Sequence, residues 1–345
     1  MKLKLRLVPA VLAALALAAC GRVTTASDPA TSTPAETPTT AAPATATAPA
    51  AVVNVAALKG PTAMGLAHFM TTEAASPAAP GVTFDFTLAG SADEVTPRLV
   101  SGDLQLAAVP VNLAAVLSAK TDGAIQLAAV NTLGVLHVVT KGVEVTSLAD
   151  LAGQTVWSTG KGTTPEYVLE YLLAQNGLTG KVQVEYLSEA TEVASRLAAA
   201  DTGLAVLPEP YVTTVTAKDP SITVALDLTD EWDKVSDTPL ITGGLVVQRD
   251  WATAHPEEMA AFLDAYAASV AYTSDHRAEA AAEIANLGIV PSAAVAEQAL
   301  PGAHIVLLTG AEAKTAAQGY LQVLFEANPA SVGGALPGDS FYYAA

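Results

Sequence analysis

From residue 52 onward, short runs rich in β-branched residues alternate with segments of helical spacing. That alternation restricts the chain to the α/β class. Strand signals fall at 52–58, 83–88 and 105–109. Helix signals follow at 63–72, 92–100 and 113–119, with Ser91 and Glu94 spaced as a capping box and Asn112 placed to cap the third helix. Apolar runs at 125–130 and 135–139 flank Asn131-Thr132-Leu133-Gly134. A second series begins near residue 140: a short turn opened by Ser147 and Asp150, strands at 154–157, 182–187, 203–207 and 221–226, and helices at 165–175 and 189–200. A strand returns at 245–248, and helices follow at 256–273, 276–287, 292–300 and 312–327. This order predicts two lobes, with the chain crossing near 131–140 and coming back near 239–245. Lobe I takes 52–135 and 245–345, lobe II takes 136–244, and the aromatic tail 337–343 docks on one of them.

The first 51 residues have a different character. Lys2, Lys4 and Arg6 precede an apolar run at 7–17, too short to span about 30 Å of hydrocarbon as a mature helix. It ends in Leu17-Ala18-Ala19-Cys20-Gly21, which resembles a bacterial lipobox. The expectation is a signal peptide at 1–19 and lipidation of Cys20; an ordinary signal peptide with an incidental Cys is the plainer alternative. Ala, Thr, Pro and Ser fill 26 of the 31 positions from 21 to 51, which leaves too little apolar surface to offset ordering. Residues 20–51 therefore read as a lipidated Cys and a tether. Location is expected at the extracytoplasmic face of a bacterial membrane.

Charge and composition exclude several functions. Without residues 1–19 the chain carries 13 bases against 34 acids, a charge of −21, which argues against a nucleic-acid partner. One Cys among 345 residues rules out a disulfide framework within one chain. His68, His137, His255, His276 and His304 lack metal-ligand spacing, and His137 reads as a packed structural residue. No Gly-x-Ser-x-Gly elbow occurs. Gly160-Lys161-Gly162-Thr163 is half of a P-loop, with Thr155 where the first Gly belongs, and Pro165 spoils a dinucleotide fingerprint. Asp93-Glu94 and Glu257-Glu258 sit at helix starts, where carboxylates complement the helix dipole. No catalytic residue, metal or cofactor is expected.

Four loops remain, each after a strand and before a helix, where open α/β sheets collect ligands. They are Lys59-Gly60-Pro61-Thr62, Gly90-Ser91, Pro110-Val111-Asn112, and Ser158 through Thr164. Each alone is a good cap; together, three on one lobe and one on the other, they mark a cleft.

These residues also resemble a known family. Leu58-Lys59-Gly60-Pro61-Thr62-Ala63-Met64-Gly65, the Gly102-Asp103 strand entry with Val109-Pro110-Val111-Asn112, Leu148 through Val156, the Pro208-Glu209-Pro210-Tyr211 turn and the helix from Pro256 are similar to solute-binding lipoproteins of ABC importers. The nearest branch binds nitrate, sulfonates, taurine or thiamine pyrimidines. The resemblance implies a two-lobed type II periplasmic-binding-protein fold with a hinge and an interlobe cleft. It also implies a monomer that hands a small sulfonate-, carboxylate- or pyrimidine-like ligand to an ABC permease rather than an enzyme. By position it assigns ligand contacts to Thr62, Ser91 and Asn112 on lobe I and to Lys161, Thr163, Thr164 and Glu209 on lobe II. Trp157 and Tyr211 are open between stacking on a ring and packing in the core. No Arg stands in these loops, unlike anion-specialised members. A ligand-sensing lipoprotein and an enzyme of the same fold are the alternatives.

Overall fold

The computed structural model describes residues 51–344. The lipobox Cys20 and the tether to residue 50 lie outside the described residues. Among the described residues, eleven strands form two sheets. The first holds β1 (Ala51–Leu58), β2 (Val82–Ala89), β3 (Leu106–Pro110), β4 (Ile125–Leu133), β10 (Ile241–Gln248) and β11 (Ile305–Thr309), in the order β11-β4-β10-β3-β1-β2. The second holds β5 (Leu136–Lys141), β6 (Thr155–Ser158), β7 (Gln183–Tyr186), β8 (Gly203–Pro208) and β9 (Ile222–Asp227), in the order β7-β6-β8-β5-β9. Parallel pairs β1–β2, β1–β3, β6–β7 and β6–β8 need crossover helices. Those helices put the loops after β1, β2, β6 and β7 at the carboxyl ends of their strands. β10 is antiparallel to both β3 and β4. The chain passes between sheets at residues 134–135 and again between Asp233 and Ile241.

β3, β8 and β10 read as near-continuous apolar runs because both faces are covered. One outer face of the first sheet packs Phe69, Phe84, Phe86 and Phe262, with ring centroids 5.1–5.7 Å apart for the pairs around Phe69. Each fully buried ring of this kind contributes about 1.5–3 kcal/mol. A second apolar cluster spans both sheets, from Val95 and Leu99 to Val138, Leu169 and Leu204. Within it Trp232 lies between Tyr171 and Tyr320, at 4.9 and 5.7 Å, and donates its indole N–H to Thr238 O.

Several local expectations need correction. The helix expected at 63–72 is two pieces, Pro61–Met64 and Ala67–Thr72. Buried Ser269 explains the break. Its Oγ donates to Gly65 O at 2.7 Å and accepts from Phe69 N at 3.1 Å, so a side chain replaces one rung of the helix ladder. Asn112 does not cap its helix, which starts at Val111; its side chain turns inward instead. β4 runs through Leu133, where a connection was expected. The helices Tyr211–Lys218, Leu228–Asp233 and Arg249–Ala254 and strand β11 were not foreseen. The expected docking of the aromatic tail is seen: Phe341 and Tyr342 are buried, Tyr342 bridges to Leu127, and Lys314 pairs with Asp339 at 2.8 Å.

Candidate functional site

A cleft of about 380 Å³ opens between the two sheets. Its walls are the carboxyl-end loops together with the residues where the chain changes sheet. Leu58, Pro61, Val135, Leu136, Leu187 and Pro208 give it an apolar floor. Thr62, Ser91, Thr132, Thr163, Thr164 and Thr242 add hydroxyls, and Lys59, Lys161 and Asp93 add charge. Gly243 and Gly244 let β10 pass beneath. A Cβ at Gly243 would lie 2.6 Å from Thr62 Cγ2, and one at Gly244 would lie 2.9 Å from Ala129 O.

Of the nine residues expected at the site, six line this cleft: Thr62, Ser91, Lys161, Thr163, Thr164 and Tyr211. Lys161 is exposed and has no ion pair among the described residues. Tyr211 reaches across the cleft, its hydroxyl donating to Lys59 O at 3.3 Å. Burial, and then Glu189, push its phenol up to about 12, so it stays a neutral donor.

The other three sit behind the walls. Asn112 is fully buried: its Nδ2 donates to Ser331 O at 3.1 Å and Gly162 O at 3.4 Å, and its Oδ1 accepts from Thr164 Oγ1 at 3.2 Å. It ties the 159–164 loop of one sheet to the other sheet rather than facing ligand. Trp157 packs within the second sheet under the Arg196 guanidinium, 4.8 Å from the ring centroid. Of its two readings, this is the core one. Glu209 is buried and accepts from Thr213 N at 3.1 Å and Thr213 Oγ1 at 3.0 Å, so it caps the helix Tyr211–Lys218. Burial pushes its carboxyl up; the Thr213 bonds, His137 and His304 pull the other way.

His137 is held by carboxylates. Burial alone would lower its pKa, but Asp227, with Oδ2 3.5 Å from Nε2, and Glu209 keep it raised. Asp227 is held at about 2 against its own burial by His137 and Thr229 N. Among the described residues no group of three or more His, Cys, Asp or Glu side chains is placed to hold a metal ion.

Sequence reasoning missed Tyr186, Leu187 and Ser188 on the cleft wall. The signal was available: Tyr186 ends β7, and Leu187 and Ser188 begin the strand-to-helix loop after it, by the rule that found the other loops. It placed Thr132 and Thr242 in the two expected crossings and gave them no role; both lie in strands, β4 and β10, and line the cleft.

Residues 61–299 match the family described as menaquinone biosynthesis. The chain belongs to that family. No match is found among curated proteins. Solved structures show the same two-lobed fold. A protein described as an ABC transporter from Parabacteroides distasonis is 24% identical, with a TM-score of 0.70 over 85% of this chain and 99% of that one. The periplasmic aliphatic sulphonate binding protein SsuA from Escherichia coli is 16% identical, with a TM-score of 0.66 over 85% and 92%. The alkanesulfonate-binding protein SsuA from Xanthomonas axonopodis, bound to MOPS, is 17% identical, with a TM-score of 0.65 over 84% and 96%. At these identities the likeness carries the fold, which is that of the periplasmic binding proteins. No described helix is long and apolar enough to cross a membrane.

Proposed function

We propose that the chain is the ligand-capturing component of an ABC importer, anchored through a lipid on Cys20 and holding a small organic molecule between its lobes as a monomer. Lobe I is residues 52–135 and 245–345, and lobe II is residues 136–244. The observation that carries this reading is the cleft itself: loops from two sheets meet around about 380 Å³ of space lined by hydroxyls, two lysines and apolar side chains. Such a lining holds a ligand through many weak contacts, and ligand favours the state in which both lobes touch it. Thr62, Ser91, Lys161, Thr163, Thr164 and Tyr211 make the contacts. Asn112 positions the lobe II loop.

A thermal-shift screen of the protein against sulfonates, carboxylates and pyrimidines tests the reading. Ligand at a hundred times its dissociation constant adds about 2.7 kcal/mol. The hit is expected to vanish in the Thr62→Ala, Lys161→Ala double variant and to be recovered unchanged by mass spectrometry. The family description favours a second reading, an enzyme of the same fold. Conversion of the recovered compound would establish that reading and remove the importer one.

A further inference from the structure

A second cavity, of about 590 Å³, lies beside the cleft and shares only Tyr186 with it. Local periodicity gathers its lining. Tyr167, Glu170 and Tyr171 stand at i, i+3 and i+4 on the helix Thr164–Gln175, so they share one face. Val184 and Tyr186 alternate along β7 and share a face of that strand. β7 is the edge of its sheet, so no further strand extends it there. The end of the helix Gly310–Ala327 supplies the opposite wall through Leu324, Ala327 and Asn328. The Tyr171 ring is fixed in place: its hydroxyl donates to Val235 O at 3.0 Å, and Trp232 packs 4.9 Å from it.

The charge around this cavity has one sign. Glu170 lines it, and no Lys, Arg or His does. Glu170 makes no ion pair among the described residues. Two helices end at the cavity, one at Ala174 and Gln175 and the other at Ala327, and neither has a basic residue in its last turn. A helix C-terminus carries a partial negative charge that favours a cation. Burial, and after it the Glu166 and Glu170 carboxylates, push the phenols of Tyr167 and Tyr186 up. Burial and then Glu166 push the Glu170 carboxyl up. Part of each shift is the field of negative charge with no cation beside it.

We propose that this cavity is a second binding site, for a small quaternary ammonium ion held among the rings of Tyr167, Tyr171 and Tyr186 beside the Glu170 carboxylate. An aromatic ring attracts a cation through the negative charge of its π-face, and three rings in one cavity multiply that attraction. The methyl groups of a quaternary ammonium spread its charge and suit the apolar part of the wall, Val182, Val184 and Leu324. An anion would meet Glu170, two helix C-termini and no counter-charge. The proposal does not depend on what the cleft holds.

The test is calorimetry of choline and of its uncharged carbon isostere, 3,3-dimethylbutan-1-ol, with the wild-type protein and three variants. Wild type should bind choline at least about tenfold more tightly than the isostere. Glu170→Gln and Tyr167→Leu should each weaken choline about threefold or more. Glu170 is exposed, so its variant keeps the test alive if the tyrosine variant does not fold. Thr62→Ala/Lys161→Ala, altered in the cleft alone, should bind choline as wild type does. Equal affinity for choline and the isostere would overturn the proposal, as would no binding of choline up to about 10 mM. Choline lost in the cleft pair but kept in Glu170→Gln would put the ion in the cleft and remove the second site. Each of these failures leaves the importer reading standing, because that reading is tested by a different screen at the cleft.

Discussion

Replacing Asn112 by Ala tests whether the cleft depends on a bond behind its wall. The side chain is fully buried and makes three hydrogen bonds to two segments, Gly162–Thr164 and Ser331. The substitution leaves Ser331 O without its donor and removes the acceptor of the Thr164 hydroxyl. Thr164 keeps only Tyr320 OH, at 3.4 Å. Two buried polar groups abandoned at about 1–3 kcal/mol each, partly relieved by entering water, give a loss of roughly 2–4 kcal/mol. At about 2 °C per kcal/mol for a chain of this size, the melting temperature should fall by roughly 4–8 °C. Urea unfolding followed by circular dichroism measures the first quantity, and a thermal scan the second. A double-mutant cycle with Thr164→Val should return a coupling of about 0.5–1.5 kcal/mol, because the pair shares one bond. A loss below about 0.5 kcal/mol for Asn112→Ala, the range of surface changes, would refute the view that this network joins the lobes.

Four further outcomes follow from the same structure. Trp157→Ala should destabilise the protein by about 2 kcal/mol through lost packing and leave ligand affinity unchanged; weakened binding at equal stability would return Trp157 to the site. Gly244→Ala should cost about 1–3 kcal/mol, since its Cβ would press on Leu127, Val111 and Ala129 O; chemical denaturation reads it. The His137–Asp227 pair gives stability a pH window. His137, raised, contributes fully below its unfolded value of about 6.5 and fades as pH rises through its folded value, whereas Asp227, lowered, contributes above about 3.9 and fades as pH falls towards its folded value. Stability should therefore peak between about pH 4 and 6.5 at this contact. Asp227→Asn keeps the cap on Thr229 and should flatten the fall above pH 6.5; an unaltered profile would remove the pair from the account. Glu73→Gln should destabilise, because the buried carboxylate accepts from Ala78 N at 2.9 Å and Phe84 N at 3.0 Å, and one of these would meet an amide NH₂.

Much of the fold was legible because alternation and caps are local. The capping boxes at Ser91–Glu94 and Ser147–Asp150 are both formed. What failed was set by distant partners. Ser269, some two hundred positions away, decides that residues 61–72 make two helices. β11 is a strand because β4 offers it an edge, not because its sequence alternates cleanly. Helices 211–218 and 228–233 are short and Thr- or Asp-rich, so propensity alone argues against them, and burial of Val212, Val215 and Trp232 reverses that. At the site, loop residues were legible and depth was not. Asn112, Trp157 and Glu209 share the polarity or ring of a ligand contact, yet lie one layer behind it. Neither spacing nor composition distinguishes a side chain that faces a cleft from one that props up its wall.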